Sequence, residues 1–348
     1  MIQLVGKIVP SWFRSNLSHL ISDFKESCIR IQKIRLHHNY KQLRKVRISV
    51  NGNSFGSTIQ SQSPKQLGVV GKSVFLMTLF PDVNIVINEP NPLIPLKSKT
   101  GENWLFLIEP PGYVQKLGYN KSRLLKKFSR VYTSDESLYK LGGKFIASPP
   151  YVHWHLEISS YNKKKRIEYD YDFLKSQVYP PAKNSNLTVI NSNISHLPGH
   201  QKRADFIQKL CSSNISFNLY GGSNWNVFAQ YIDNAPNGKW PIFSNSRYTL
   251  VIENECAPFY WTEKITDAIL CWSMPIYYGC PTICDFFPEG SYRLIDIDSE
   301  DAIAQLQNIL SSSYYEDNIA NLAQARMLIM EKYNILNFID NEIEQLIK

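Results

Sequence analysis

Residues 248–279 run through an apolar stretch, a polar turn, a helical stretch and a second apolar stretch: YTLVI, ENECAPFYWTEK, ITDAILCW and MPIYYG. Two strands joined through a helix pair in parallel, with a right-handed crossover. That one segment therefore commits its surroundings to an α/β architecture. The same alternation continues elsewhere. LTVINSN (187–193), ISFNLYGG (215–222) and RLIDI (293–297) read as strands, and KRADFIQKLCSS (202–213) as a helix. In the first half VRISVNG (46–52), VFLMTLF (74–80), VNIVINEP (83–90) and NWLFLIEPPGY (103–113) read as strands. RVYTSDESLYKLGGKFIASPP (130–150) reads as short strands around a helical turn, and residues from about 300 onward are helical by pattern. Residues 12–28 place Phe13, Leu17, Leu20, Phe24 and Cys28 on one helical face, which predicts a buried stripe.

At 348 residues the chain has room for two domains. VYPPAKNSN (178–186) is rich in Pro and Asn, and the boundary is placed there: an N-terminal α/β domain over 1–185 and a C-terminal Rossmann-like domain with a helical tail over 186–348. A composition of 43% hydrophobic and 20% charged residues is that of a globular protein. No apolar run is long enough to cross a bilayer, and the N-terminus lacks a secretory pattern, so a cytoplasmic location is expected. The six cysteines form no CxxC pair and have no His at zinc-finger spacing, so reduced thiols are expected. The net charge is +8, and RIQKIRLHHNYKQLRKVR (30–47) holds seven Lys or Arg and no acid. This stretch is either a solvated helical face or a contact for anionic lipid, as at the inner face of a membrane, for nucleic acid or for a polyanionic glycan. No zinc-finger or RNA-recognition signature supports a nucleic-acid partner.

The polar residues fall where such folds bind ligands, at the carboxyl ends of strands. The helix starting near Thr262 aims unpaired N–H groups and its positive end at that crevice, a site suited to an anion. Lys264 adds a full charge where the helix dipole disfavours a cation, which points to a purpose other than helix stability.

The segment YTLVIENECAPFYWTEKITDAILCWSMPIYYGCP resembles the donor-binding motif of the α1,3/α1,4-fucosyltransferases, glycosyltransferase family 10. Glu253, Asn254, Tyr260, Thr262, Glu263, Lys264, Pro275 and Gly279 stand at the family's spacings, with Ile252 in place of its Phe. KRADFIQKL resembles its Arg-bearing helix, LYGGSN its next glycine turn, and DFFPEGSYRLIDI its following segment. WLFLIEPPGY resembles its strand ending in Glu-Ser-Pro, with Pro110 replacing Ser. The resemblance is good over 187–297 and only an outline before it.

The resemblance implies a GT-B fold, two Rossmann-like domains facing a cleft. It implies an inverting glycosyltransferase, most simply one that moves L-fucose from GDP-fucose to a hydroxyl of a GlcNAc- or Glc-type saccharide in a surface glycan. No metal is expected; the literal Asp-x-Asp matches, DYD (170–172) and DID (296–298), lie outside the donor motif. Glu109 is the candidate base, the alternative being a Glu that bonds turn amides. Arg203 and Lys264 would hold the diphosphate. Glu263 would accept hydrogen bonds from ribose or sugar hydroxyls, and Asn254 and Tyr260 would line the nucleotide site. Arg247 is a possible second phosphate-facing cation. Gly221 and Gly222 either let backbone approach the donor or make a plain turn. His153 and His155, in HWH, are weak acceptor-side candidates. Two rivals remain open: another GDP-hexose as donor, and a non-catalytic sugar-nucleotide-binding protein.

Overall fold

The structure is a computed structural model that describes residues 11–50, 53–54, 60–90, 93–118, 123–151, 154–157, 167–192 and 194–347. Two sheets organise it. The first contains β1 (Arg44–Val50), β2 (Asn53–Ser54), β3 (Val69–Val70), β4 (Ser73–Phe75), β5 (Val83–Ile87), β6 (Asn103–Leu107), β7 (Arg130–Thr133) and β8 (Phe145–Ala147), with β2 added to β1 and the rest in the order β3-β4-β1-β5-β6-β7-β8. The second contains β9 (Ser185–Asn191), β10 (Asn218–Gly221), β11 (Tyr231–Asp233), β12 (Ser246–Ile252), β13 (Met274–Tyr278) and β14 (Arg293–Leu294), all parallel, in the order β11-β10-β9-β12-β13-β14. The chain reverses its direction of spread between β9 and β12, the switch point where such sheets bind ligands. Five helices matter below: α1 (Ser11–His37), α2 (Pro198–Cys211), α3 (Glu263–Leu270), α4 (Ile319–Glu331) and α5 (Ile335–Ile347).

The continuous apolar runs became central strands. Every residue of β5 and β6 is buried, as parallel strands covered on both faces must be. The run 74–80 stops at Phe75 instead. Beyond it the backbone is held by side chains: the Ser27 hydroxyl accepts from Met77 N at 3.0 Å, and Arg47 donates to Thr78 O at 3.0 Å. The run 293–297 likewise shortens to Arg293–Leu294.

The predicted stripe on α1 is half-buried at Leu20 and Phe24 and turned outward at its other described positions. Leu17 is 40% exposed and Cys28 is exposed, whereas Ser27, Arg30 and Ile34 are buried. The inward side is polar because the loops beneath it need donors: Arg30 bonds Phe75 O at 3.1 Å. The side chain of Phe13 lies outside the described residues. Three of the seven cations of 30–47 also turn inward. Arg44 pairs with Asp340 and Glu344, and Arg47 bonds Asn84, Thr78 and Pro95.

The two sheets are tied by the end of the chain. α5 returns to the first sheet, where Phe338 stacks on Tyr151 with ring centres 4.0 Å apart and meets Tyr132 edge-on. Glu342 accepts from the Tyr132 hydroxyl at 2.8 Å, and Asp340 from the Ser73 hydroxyl at 2.6 Å. On α4, Arg326 donates to the carbonyls of Leu270, Gln177 and Leu174, fixing the end of α3 against the crossing between the sheets. Among the described residues no helix is long and apolar enough to cross a membrane.

Candidate active site

The polar turn after β12 is closed by its own first residue. Glu253 is 2% exposed and accepts from Thr262 N at 2.8 Å and from the Thr262 hydroxyl at 2.7 Å. Thr262 caps α3 in turn, accepting from Lys264 N at 3.4 Å. A buried carboxylate thus joins the two ends of the turn and sets where α3 begins. Gly279, just past β13, is the space this requires: a Cβ there would lie 2.6 Å from Glu253 Cγ. Burial pushes the Glu253 carboxyl up, opposed chiefly by Lys264.

Lys264 Nζ stands 3.0 Å from the Thr262 hydroxyl, 3.4 Å from Glu263 Oε1 and 3.5 Å from Glu253 Oε2. The two carboxylates offset the dipole that disfavours a cation in a first turn. Burial would raise the Glu263 carboxyl, but Lys264, Lys239 and His155 outweigh it and hold the group well below the usual carboxylate range. Glu263 is therefore a carboxylate at neutral pH, an acceptor only.

Arg203 reaches from α2 beneath the ends of β9 and β12. Its Nε donates to Asn191 Oδ1 at 2.7 Å, and its Nη1 to Asn254 Oδ1 at 2.8 Å and Ile252 O at 3.2 Å. Burial lowers its pKa, opposed by Glu253 and Glu263. Two glycines allow this crowding. A Cβ on Gly199 would sit 1.8 Å from Asn254 O, and one on Gly221, at φ +119, would sit 2.0 Å from Asn191 O. Gly222 N donates to Asn191 O at 2.8 Å. Gly221 thus serves close approach of one strand end to another.

From the first sheet, Glu109 follows β6. Asn88, at φ +59 just past β5, donates to Glu109 Oε1 at 3.2 Å and accepts from Ile108 N at 3.1 Å. Burial raises the Glu109 carboxyl; Asn88 lowers it, Glu263 raises it and Lys264 lowers it. A first-sheet carboxylate and the start of α3 therefore share one electrostatic field. Tyr260 lies there too: burial holds its phenol well above the usual range, reinforced by Glu253, Glu263, Glu109 and Glu255. Glu255 closes the gap physically, accepting from Gly112 N at 2.9 Å.

Residues 181–318 match the sequence family described as Glycosyltransferase family 10 (fucosyltransferase) C-term. These residues are about two fifths of the chain, and over them it is similar to that family. Its two α/β units have the GT-B arrangement of two Rossmann-like units. The crystal structure of Anabaena HepE with UDP and glucose is similar at 12% identity and a TM-score of 0.50, over 87% of this chain and 99% of that one. An α1,3-fucosyltransferase solved with GDP aligns at 17% identity and a TM-score of 0.48, over 84% of this chain and 92% of that one. No curated protein matches the chain in sequence.

Several residues singled out in the sequence stand elsewhere. Arg247 is at the opposite end of β12 from the crevice, five residues or roughly 17 Å before Ile252. There it pairs with Glu316, bonds Asn186 at 3.2 Å and lies over the Tyr248 and Tyr315 rings. Asp170 caps a short helix by accepting from Phe173 N. Asp298 is taken by Lys202 at 2.8 Å and the Tyr278 hydroxyl at 2.7 Å. His155 is beside α3, with its backbone N–H donating to Asp267 Oδ1 at 2.9 Å; His153 lies outside the described residues. Among the described residues no group of three or more His, Cys, Asp or Glu could hold a metal ion. Sequence reasoning missed Asn88, Lys239 and Asp267. Only Asp267 left a signal, as an acid inside the apolar stretch ITDAILCW.

Proposed function

We propose that the chain transfers L-fucose from GDP-fucose to a hydroxyl of a GlcNAc- or Glc-type saccharide within a surface glycan, with inversion at the anomeric carbon. The carrying observation is the meeting of the two sheets at the polar turn: Glu255, in the same turn as Glu263 and Lys264, accepts at 2.9 Å from Gly112 N, three residues after Glu109. In this reading Glu109 takes the acceptor hydroxyl's proton as its oxygen attacks the anomeric carbon. GDP leaves from the opposite side, and Lys264 and Arg203 meet the charge that develops on its diphosphate. Glu263 accepts from ribose or sugar hydroxyls, and Asn254 and Tyr260 line the nucleotide site. The choice of fucose follows the family's description. A raised carboxyl pKa suits a base working near neutrality. Because Glu109 must be ionised, activity should fall as pH drops through its raised value. Contact with an anionic membrane face belongs to the same proposal, carried by the outward Lys33, Arg35 and Lys41; failure to float with anionic vesicles would remove it.

The test is GDP release from GDP-fucose, beside GDP-mannose, with and without a lacto-series disaccharide. Acceptor-dependent release from GDP-fucose supports the proposal. Release from GDP-mannose alone would replace the donor. Absence of GDP binding would end the proposal.

A further inference from the structure

We propose that Glu255 is a positioning residue: it holds Gly112 N from the donor turn, and through the link Glu109-Pro110-Pro111-Gly112 it sets where Glu109 stands against the donor. This rests on the roles given above to Glu109 and to the donor turn.

Among the described residues Gly112 N has no acceptor on its own sheet's side. Pro110 and Pro111 have no N–H to give, and Tyr113 N and Val114 N both donate to Pro110 O, at 2.9 and 3.0 Å. The acceptor for Gly112 N comes from the other sheet: Glu255 Oε2, at 2.9 Å. A Cβ on Gly112 would stand 3.2 Å from that oxygen, so the bare Cα gives the carboxylate its room. The link back to Glu109 is stiff. Both prolines have φ locked by their rings, and Glu109, before a proline, is confined to extended backbone. Moving Gly112 N therefore moves Glu109.

The other end of the contact is equally fixed. Glu253, Asn254 and Glu255 are consecutive. Glu253 closes the turn on Thr262, Asn254 accepts from Arg203 at 2.8 Å, and Glu255 reaches across to Gly112. One stretch of backbone thus carries the start of α3, the arginine assigned to the diphosphate, and the segment behind the base. A second contact keeps the same alignment. Phe259, later in the turn, has φ +63, a conformation that bulky residues rarely adopt. Its ring meets Tyr139, just after β7 of the first sheet, edge-on with centres 5.6 Å apart. For stability alone the Glu255 bond is worth little, because water would serve a half-buried carboxylate nearly as well as one N–H. Holding the base in register with the donor is the better reason for it.

The experiment measures GDP affinity by calorimetry, and the kcat of GDP release from GDP-fucose with a lacto-series disaccharide. Glu255→Ala should lower kcat by about 10- to 100-fold, the cost of misplacing a catalytic group by roughly an ångström, with GDP affinity unchanged. Glu255→Asp keeps the charge but is a methylene short of Gly112 N, and should lose as much. Glu255→Gln keeps the length and an acceptor oxygen, and should stay within about fivefold of wild type, the difference between a charged and a neutral acceptor. In a Glu109→Gln background the loss from Glu255→Ala should vanish, because residues acting through one group are not additive. A Glu255→Asp that matches wild type while Glu255→Gln fails would assign an effect of charge, and overturns the proposal. So does a loss that persists in full in the Glu109→Gln background, or one in which GDP affinity falls in step with kcat. The Asp and Gln variants alone decide the matter if Glu255→Ala does not fold. Wild-type protein that binds GDP but releases none from GDP-fucose with the disaccharide would instead sink the transfer reading itself, and this role with it.

Discussion

The two sides of the crevice are built differently. On the second sheet the buried charges have partners already in place: Glu253 with Thr262 and Lys264, Arg203 with Asn191 and Asn254. On the first sheet Glu109 accepts from Asn88 at 3.2 Å and is half-buried. In the proposed reaction the second-sheet side would be preorganised for a fixed ligand, a nucleotide diphosphate, and the first-sheet side would offer a carboxylate whose working geometry an acceptor completes, in keeping with catalytic bonds that tighten only in the complex.

That contrast can be broken most directly at Glu109. Glu109→Gln should lower kcat by about 10² to 10⁴, the range for loss of a general base, while calorimetry shows GDP affinity unchanged. A matching loss of GDP affinity would show that Glu109 belongs to the donor side. Lys264→Ala is the converse, expected to cost about 10² to 10³ in kcat, as for other fixed charges aimed at a developing anion, and to weaken GDP binding as well. If GDP binding survives intact, the preorganised side is not where the diphosphate sits.

A smaller effect tests how the donor turn is held. Gly279→Ala puts a methyl against Glu253 Cγ and the Tyr277 hydroxyl, and should cost about 1–3 kcal/mol in urea unfolding, with weaker GDP binding. A neutral result would mean the turn can shift, and preorganisation would be lost from the comparison. Smallest of all, Arg247→Ala should leave GDP binding within error of wild type, because its partners are at the far end of β12.

Lys183 offers a control away from the crevice. Its ammonium donates to Ser244 O at 2.8 Å, and burial pushes its pKa down to about 7. Between that value and the usual lysine range the unfolded chain holds a proton that the folded chain lacks. Stability on this account rises with pH from about 7 upward and is flat below it. Thermal melts of Lys183→Met should lose that rise, and GDP binding should not follow it.

Much of this was legible beforehand because it is local. The strand–turn–helix–strand segment sets parallel pairing, and the Thr262 cap, Lys264 in the first turn and Glu109 at the end of a strand are all fixed by their distance along the chain. The apolar runs of β5, β6 and β12 were readable for the same reason: a strand covered on both faces has no polar positions to hide.

What the chain could not announce depends on which distant segments meet. The stripe on α1 was a regular pattern, yet the loops under that helix needed the Ser27 hydroxyl and the Arg30 guanidinium. Arg247 looked like a donor cation because it is near the motif in sequence, but a strand carries its two ends apart. Lys239 sits in an ordinary turn and becomes Asp267's partner only when that turn folds against 154–157. Periodicity and spacing fix local geometry and therefore the donor turn. Long-range contact alone decides which charges share a dry space, and so which carboxylate accepts a hydrogen bond and which can take a proton.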